Sequence, residues 1–158
     1  MERNQRAGMA GTQFLGAVGV ILLAAFAFYY YANNYAEQSK RALTIRRLAA
    51  LELALQKYCV DCGGRLPTAQ QGLAALVSPP ARQPIPSGWN GPYLTDPQAV
   101  RDGWGLPFKY VCPGQPVAVG SSISRPFDLA SYGRDGAEGG KGLDRDVCNW
   151  DRSSMVSL

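Results

Sequence analysis

The sequence predicts an α+β protein in which one long N-terminal helix packs on a small antiparallel sheet. Residues 14–32 form an uncharged apolar run, and residues 35–58 follow it without proline or glycine. This second segment is rich in good helix formers, and nothing between the two segments predicts a break. Glycine and proline concentrate beyond residue 62, where short alternating segments indicate strands joined by loops.

The first half of the predicted helix is long enough to cross a membrane, because nineteen residues at about 1.5 Å rise span roughly 30 Å. In the second half, apolar residues recur three and four positions apart and give one stripe. The stripe consists of Leu48, Leu51, Leu55 and Tyr58. We therefore expect one helix of about fifty residues that ends near Tyr58. The chain after Cys59 should dock on its stripe.

Composition limits the function. The chain has 158 residues, which suits one domain plus a membrane segment, and 126 remain after residue 32. Its net charge is +4 without a run of like charges, so nucleic acid is not an expected partner. It contains no histidine, which removes the commonest general base and the usual catalytic triad. We therefore do not expect an ordinary acid–base hydrolase.

Four cysteines, an even number behind a membrane segment, predict disulfides in an exported domain. They are Cys59, Cys62, Cys112 and Cys148, and three pairings are possible. We favour Cys112–Cys148 as a clamp and Cys59–Cys62 as a local bridge at the helix end. A zinc site would need two close pairs, whereas Cys112 and Cys148 lie 36 residues apart. A redox pair is disfavoured because this CxxC ends a helix instead of starting one.

The segments that flank the apolar run leave its orientation open. Residues 1–8 form a short polar leader that ends at Gly8, and residues 33–35 do not resemble a signal-peptidase site. The run is therefore either a plain anchor or the start of the mature chain after a cut before it. The basic residues that follow it would place the C-terminal domain in the cytoplasm, whereas the cysteines favour export.

The middle of the chain predicts a capped helix and then an irregular region. Thr68 and Gln71 form a capping-box pattern before a short helix over residues 69–77. Residues 79–107 are rich in proline and glycine. Their aromatic side chains Trp89, Tyr93 and Trp104 should fill the gap between this loop and the helix stripe.

Strand signals come late in the chain. Residues 108–111 and 127–132 alternate between apolar and polar side chains, and residues 116–119 add a possible short piece. These segments predict two or three antiparallel strands that pack against the helix.

Residues 133–146 form the most informative polar segment, with five glycines and the carboxylates of Asp135, Asp144 and Asp146. Calcium binds six to eight oxygens from carboxylates, carbonyls and water, which such a loop can supply. The loop is not an EF-hand, because the third and fifth positions counted from Asp135 are Ala137 and Gly139. A solvated acidic turn explains the spacing equally well.

Several short segments of the chain occur in the same order as in a known protein family. They are residues 61–68 (DCGGRLPT), 71–73 (QGL), 89–94 (WNGPYL), 102–108 (DGWGLPF), 127–133 (FDLASYG), 135–147 and 149–150. The chain resembles the major pseudopilin of bacterial type II secretion systems over nearly its whole length. The resemblance implies a pilin-like fold and a structural subunit, not an enzyme, that polymerises through its N-terminal helix to drive export of folded proteins.

The resemblance also implies how the chain is divided and where it resides. A prepilin peptidase would cut the leader, residues 1–8, after Gly8 and leave Met9 as the mature N-terminus. Residues 9–32 would be the membrane and assembly half of the helix, and residues 33–158 the periplasmic domain. The protein would reside in the inner membrane. Its partners would be copies of itself, other pseudopilins, the inner-membrane secretion platform and the peptidase.

Two further expectations follow from the resemblance. Calcium would be held by Asp135, Asp144 and Asp146 together with the backbone carbonyls of Tyr132 and Ala137. At the fifth mature position the family has glutamate, which meets a neighbour's N-terminal amine, whereas this chain has Gln13. An amide forms hydrogen bonds but cannot neutralise a charge inside a membrane.

Two other classes share part of this pattern. A minor pilin of a type IV pilus or a DNA-uptake system would share the helix but lack the calcium loop. A membrane-anchored CxxC thiol protein would require a thiol of low pKa at Cys59 or Cys62.

Overall fold

The computed structural model describes residues 2–118 and 121–155, with side chains of the first helix described beyond residue 16. Helix α1 spans Glu2–Asp61 and is followed by three short strands: β1 (Lys109–Val111), β2 (Asp128–Ser131) and β3 (Val147–Cys148). The chain divides into two compact units, one ending at Glu37 and the other beginning at Gln38. The expected helix end near Tyr58 was three residues too early.

The first unit is helical, and its described apolar side chains are exposed. Phe26, Phe28 and Tyr31 each leave about two thirds or more of their surface uncovered. Among the described residues, one helix is long and apolar enough to span a membrane, and it lies near the N-terminus. The surroundings of Gly8 and of the Met9 and Gln13 side chains lie outside what the structure describes, so the expectations for processing and assembly stay predictions.

The second unit is built on the predicted helix stripe, which is confirmed. Leu48, Leu51 and Leu55 are fully buried, and Tyr58 is nearly so. The side chains that cover them from the rest of the unit are Leu73, Leu76, Leu94, Phe108, Leu129 and Val147. Full burial of one leucine contributes about 1.5–3 kcal/mol, so the stripe dominates the docking of the domain on its helix.

The sheet is antiparallel with the order β1-β2-β3. Lys109 pairs with Ala130 between β1 and β2, and Ser131 pairs with Val147 between β2 and β3. The predicted strands over 108–111 and 127–132 are confirmed, apart from their end residues. In the described part of residues 116–119 the structure has one isolated bridge, between Pro116 and Ser124, instead of a strand.

The helix predicted over residues 69–77 is wrong. Its cap exists, because the Gln71 amide donates to Thr68 Oγ1 at 3.2 Å and the Thr68 amide to Gln71 Oε1 at 3.0 Å. Gly72 then adopts a φ of 62°, which an α-helix cannot contain. The chain resumes as a single 3₁₀ turn over Leu73–Leu76.

Two glycines let the irregular region lie directly on the helix backbone. A Cβ at Gly103 would lie 2.0 Å from the carbonyl oxygen of Lys40, and one at Gly88 equally close to that of Asp61. The Gly103 amide also donates to Thr44 Oγ1 at 2.9 Å. These contacts fix the loop at both ends of the docked helix segment.

The aromatic side chains expected to fill this gap do so in two of three cases. Trp89 and Tyr93 are packed against the core cluster. Trp89 Nε1 donates to the Ala75 carbonyl at 2.9 Å, and the Tyr93 hydroxyl donates to Asp61 at 3.0 Å. Trp104 is only half-buried and is not among the residues packed on that cluster.

Neither favoured disulfide is formed, because all four cysteines are free thiols. Cys112 follows β1 and Cys148 lies in β3, with β2 between them. Two strand spacings amount to about 9.5 Å, beyond the Cα separation of about 7 Å that a disulfide can span. At the helix end, Cys62 is buried in the core while Cys59 is half-buried.

Candidate functional site

The glycine-rich loop over residues 132–146 joins β2 to β3 and folds back on itself. The Arg134 amide donates to the Leu143 carbonyl at 3.1 Å, and the Asp146 amide donates to the Gly139 carbonyl at 3.3 Å. These two bonds close the loop near its ends. The carboxylates predicted to bind metal therefore belong to an ordered turn.

Two glycines pack closely against the backbone of Asp144. Gly133 and Gly140 have φ values of 70° and 80°, which L-residues with a side chain rarely adopt. A Cβ at either position would lie 2.6 Å from the Asp144 carbonyl oxygen. The sequence needs glycine at both places for the loop to close.

The side chain of Asp144 is engaged by a guanidinium. Arg134 donates from Nε to Asp144 Oδ1 at 2.9 Å and from Nη2 to Oδ2 at 3.1 Å. Both carboxylate oxygens thus have a charged donor in bidentate geometry. The pair is partly exposed, so its contribution to stability is of the order of 1 kcal/mol or less.

The side chain of Asp146 is in the opposite situation. Its Oδ2 accepts a hydrogen bond from the Gly139 amide at 3.0 Å, but its Oδ1 is buried without a hydrogen-bond partner. Burial raises the pKa of Asp146, and the negative charges of Glu138 and Asp135 raise it further against the effect of the Gly139 bond. A cation at Oδ1 would relieve both the missing bond and the repulsion.

The structure therefore brings together only part of the predicted ligand set. Asp146 lies in the field of Asp135 and Glu138, whereas Asp144 is turned to Arg134. In residues 2–118 and 121–155, no three side chains of His, Cys, Asp or Glu are grouped as a metal site. Sequence reasoning missed Glu138, although it is a further acidic residue within the same loop.

Asp135 shapes the turn from its exposed position, since its Oδ1 accepts a hydrogen bond from the Ala137 amide at 3.2 Å. Tyr132 directly follows β2, and its hydroxyl accepts a hydrogen bond from Lys109 Nζ at 2.7 Å. Both residues that were expected to offer backbone carbonyls, Tyr132 and Ala137, are thus part of the ordered loop.

A cavity of about 400 Å³ lies where the loop meets the face of the sheet, and Asp146 and Glu138 are part of its wall. The lining of this cavity also includes the Arg125–Asp128 ion pair, in which Arg125 Nη2 donates to Asp128 Oδ2 at 3.0 Å. Burial works against the charged form of Asp128, but the bonds from Arg125 and from the Gln115 amide prevail and lower its pKa. Asp128 therefore already has its counter-ion, whereas Asp146 lines the same cavity with a buried oxygen left unpaired.

The architecture defines the class of protein: a pilin-like subunit with a long helix on a three-stranded sheet and a glycine-rich loop between its last strands. A model of the family "Type II secretion system (T2SS), protein G" matches residues 32–150. The chain belongs to the type II secretion system protein G family. The resemblance noted in the sequence and the predicted fold class are confirmed.

Individual relatives agree over nearly the whole chain. Type II secretion system core protein G of Pseudomonas aeruginosa is 33% identical over 151 residues, which cover 96% of this chain and 99% of that protein. The same protein of Vibrio cholerae is 32% identical over 136 residues, 84% of this chain and 85% of the relative. The crystal structure of the major pseudopilin from the type 2 secretion system of enterohaemorrhagic Escherichia coli matches with a TM-score of 0.56 and 31% identity. The match covers 74% of this chain and 91% of the chain in that crystal structure.

The alternative of a membrane-anchored CxxC thiol protein is not supported at Cys62, one of the two cysteines that it could use. Burial, the largest influence, raises the pKa of the Cys62 thiol despite hydrogen bonds with Tyr58 and Tyr93. A reactive cysteine needs a lowered pKa and an accessible sulfur. Cys62 has neither.

Proposed function

We propose that the chain is a structural subunit of a type II secretion pseudopilus, which polymerises through the first half of α1 and performs no catalytic step of its own. The observation that carries this proposal is the contrast between the two halves of the helix. The stripe in the second half is buried under the chain's own domain, whereas the apolar side chains around residue 26 are exposed on all sides. Such a surface is stable only against lipid or against other helices.

The same contrast supports a cycle between two environments. Before assembly, the apolar half lies in the inner membrane as a single span, with the C-terminal domain in the periplasm. After assembly, copies of the chain and other pseudopilins cover that half instead. Each added subunit lengthens the fibre and pushes folded cargo toward the outer membrane. The inner-membrane secretion platform is the partner that feeds subunits into the fibre.

Processing is the step that can be measured directly. We propose that a prepilin peptidase cuts after Gly8, so that protein extracted from membranes begins at Met9. Intact-mass spectrometry of full-length expressed chain should find this start in cells that contain the peptidase. Gly8→Val should leave Met1 in place, whereas the matched variant Gly11→Val should still be cut. A wild-type chain that retains Met1 would overturn this part of the proposal.

We also propose that the glycine-rich loop binds calcium. The supporting observation is the buried, unpaired Oδ1 of Asp146 beside the charges of Glu138 and Asp135. The ligands would be the carboxylates of Asp146 and Asp135 and the backbone carbonyls of Tyr132 and Ala137. Asp144 would join them only after it releases Arg134. Bound calcium would supply the positive charge that this buried carboxylate lacks.

Calorimetric titration of the full-length protein in detergent tests the calcium site. Calcium should bind in a 1:1 ratio, and magnesium should bind much more weakly because it requires smaller, near-octahedral coordination. Binding of neither ion would refute the metal site while leaving the pseudopilin assignment intact.

A further inference from the structure

Arg41 is a buried cation that the function described so far does not use. It lies on α1 and exposes only 3% of its surface. Its Nη1 donates to the Arg145 carbonyl at 2.8 Å, and its Nη2 donates to the Ser154 carbonyl at 2.9 Å. Its Nε is buried without a hydrogen-bond partner. Burial, and then the positive charge of Arg145, lowers the pKa of the Arg41 guanidinium.

This arrangement is costly in isolation, because both acceptors that Arg41 has among the described residues are neutral carbonyls, which compensate a buried charge poorly. An apolar side chain of similar size would fill the same space without that cost. What the guanidinium adds is its planar fork, which reaches two separate acceptors from one rigid group. Arg41 thus joins the helix to two points of the chain that are 104 and 113 residues away.

The first of these points, Arg145, lies inside the glycine-rich loop over residues 132–146, the proposed calcium site, which we also call the metal loop. In the sequence, Arg145 lies between Asp144 and Asp146. The backbone of Asp144 packs closely against Gly133 and Gly140. The Arg145 carbonyl belongs to the peptide that leads directly into Asp146. Fixing that carbonyl from the helix therefore fixes the plane of this peptide and the position of the Asp146 backbone from which its side chain starts.

The side chain of Arg145 also restrains this part of the loop, because it binds the segment that follows β3. Its Nη2 donates to Asp151 Oδ2 at 3.1 Å and to Ser153 Oγ at 2.8 Å. Ser154 Oγ in turn accepts from the Cys148 amide at 3.1 Å, so the segment after β3 closes on itself. With this segment closed, Arg41 holds both the segment and the end of the loop to α1 from one side chain.

We propose that Arg41 is a positioning residue for the metal loop: from the helix, it holds Asp146 in the orientation in which its carboxylate binds calcium. This inference rests on the calcium site proposed above. Because linkage is reciprocal, calcium in the loop strengthens the attachment of the C-terminal segment to α1 by the same factor.

The test compares Arg41→Met with Arg41→Lys and with Arg152→Met in the full-length protein. Arg152 is the matched control, because it also links the C-terminal segment to α1, through Glu52 at 3.4 Å, but is largely exposed and lies beyond the loop. Calcium affinity is measured by calorimetry. Protection of the loop is measured by hydrogen exchange in chelator, at the amides of Arg134 and Asp146.

We expect Arg41→Met to weaken calcium binding at least tenfold and to speed exchange of both loop amides. Arg41→Lys should restore part of the affinity, since an ammonium reaches one carbonyl in place of two, and Arg152→Met should match the wild type.

An unchanged affinity with unchanged exchange in Arg41→Met would overturn the proposal. So would faster exchange spread equally over the buried stripe of α1, because that pattern means general loss of stability. If the wild type binds no calcium, the metal site is refuted and the positioning role for it falls as well, even where Arg41→Met loosens the loop selectively. If the wild type binds calcium and Arg41→Met binds it equally well, the positioning role alone is refuted.

Discussion

The substitution Asp146→Asn should raise stability in chelator and lower it in calcium. In chelator the wild-type carboxylate has one buried oxygen without a partner and lies near Glu138 and Asp135. An asparagine keeps an oxygen for the Gly139 amide and places a neutral NH₂ group where the unpaired oxygen was. In calcium the same change removes the ligand that the metal needs. The two conditions therefore predict effects of opposite sign from one variant.

The size of each effect follows from the contacts. An unsatisfied buried polar group costs about 1–3 kcal/mol, so removing its charge should recover about 1 kcal/mol. For a domain of this size that is a rise in Tm of roughly 3–5 °C. A ligand at a hundred times its Kd adds about 2.7 kcal/mol, which the variant forfeits. In calcium the variant should therefore melt about 5 °C or more below the wild type.

The pH dependence gives the same prediction a second readout. A carboxyl group whose pKa is raised in the folded state contributes stability below its unfolded value of about 4, and that stability is lost as pH rises through the raised value. In chelator the wild type should lose stability over that interval because of Asp146. The Asn variant should lack this loss, and calcium should abolish it in the wild type.

The assay is thermal unfolding of full-length protein in detergent, in chelator and in excess calcium, with Asp96→Asn as the control. That control lies outside the loop, weakens the ion pair of Asp96 with Arg47 and should lower stability by up to about 1 kcal/mol in both buffers. The reasoning is refuted if Asp146→Asn melts below the wild type in chelator, or if it gains as much from calcium as the wild type does.

Two further variants test the packing that supports the site. Asp102→Ala should lower stability by about 3–5 kcal/mol in thermal unfolding, because the buried carboxylate accepts hydrogen bonds from the amides of Trp104 and Leu106 and from Ser131 Oγ. A loss below 1 kcal/mol would contradict this role. Gly103→Ala should prevent the loop from seating on α1 and cost more than 2 kcal/mol, since its Cβ would meet backbone at 2.0 Å. Gly105→Ala, in open space at a φ of 88°, should cost about 1 kcal/mol from conformation alone; equal losses would show that space is not the cause.

The parts of the fold that the sequence predicted are those with local periodicity. The stripe over Leu48, Leu51 and Leu55 and the two longer strands repeat at the spacing of their own structure, so each can be recognised without its neighbours. Strand β3 has only two residues, too few to show any period. The helix after Thr68 had a correct cap, but the left-handed conformation of Gly72 ended it, and a capping pattern carries no information about that.

The disulfides and the ligand set could not be predicted for a different reason. Both depend on which segments become neighbours in three dimensions. The order β1-β2-β3 separates Cys112 from Cys148, and no spacing in the chain encodes that order. In the sequence, Asp144 and Asp146 are two indistinguishable acidic residues of one loop. Only the folded structure shows that Asp144 forms an ion pair with Arg134 and that Asp146 has a buried oxygen without a partner.

The most direct test of the account is to determine what covers the apolar half of α1. The full chain is expressed with its prepilin peptidase and secretion platform, and the resulting assemblies are examined by cryo-electron microscopy. The account predicts filaments in which residues 17–37 of neighbouring subunits pack together along the axis, with the C-terminal domains outside. A chain that remains a membrane-bound monomer, or filaments joined by the C-terminal domains with these helices on the surface, would contradict it.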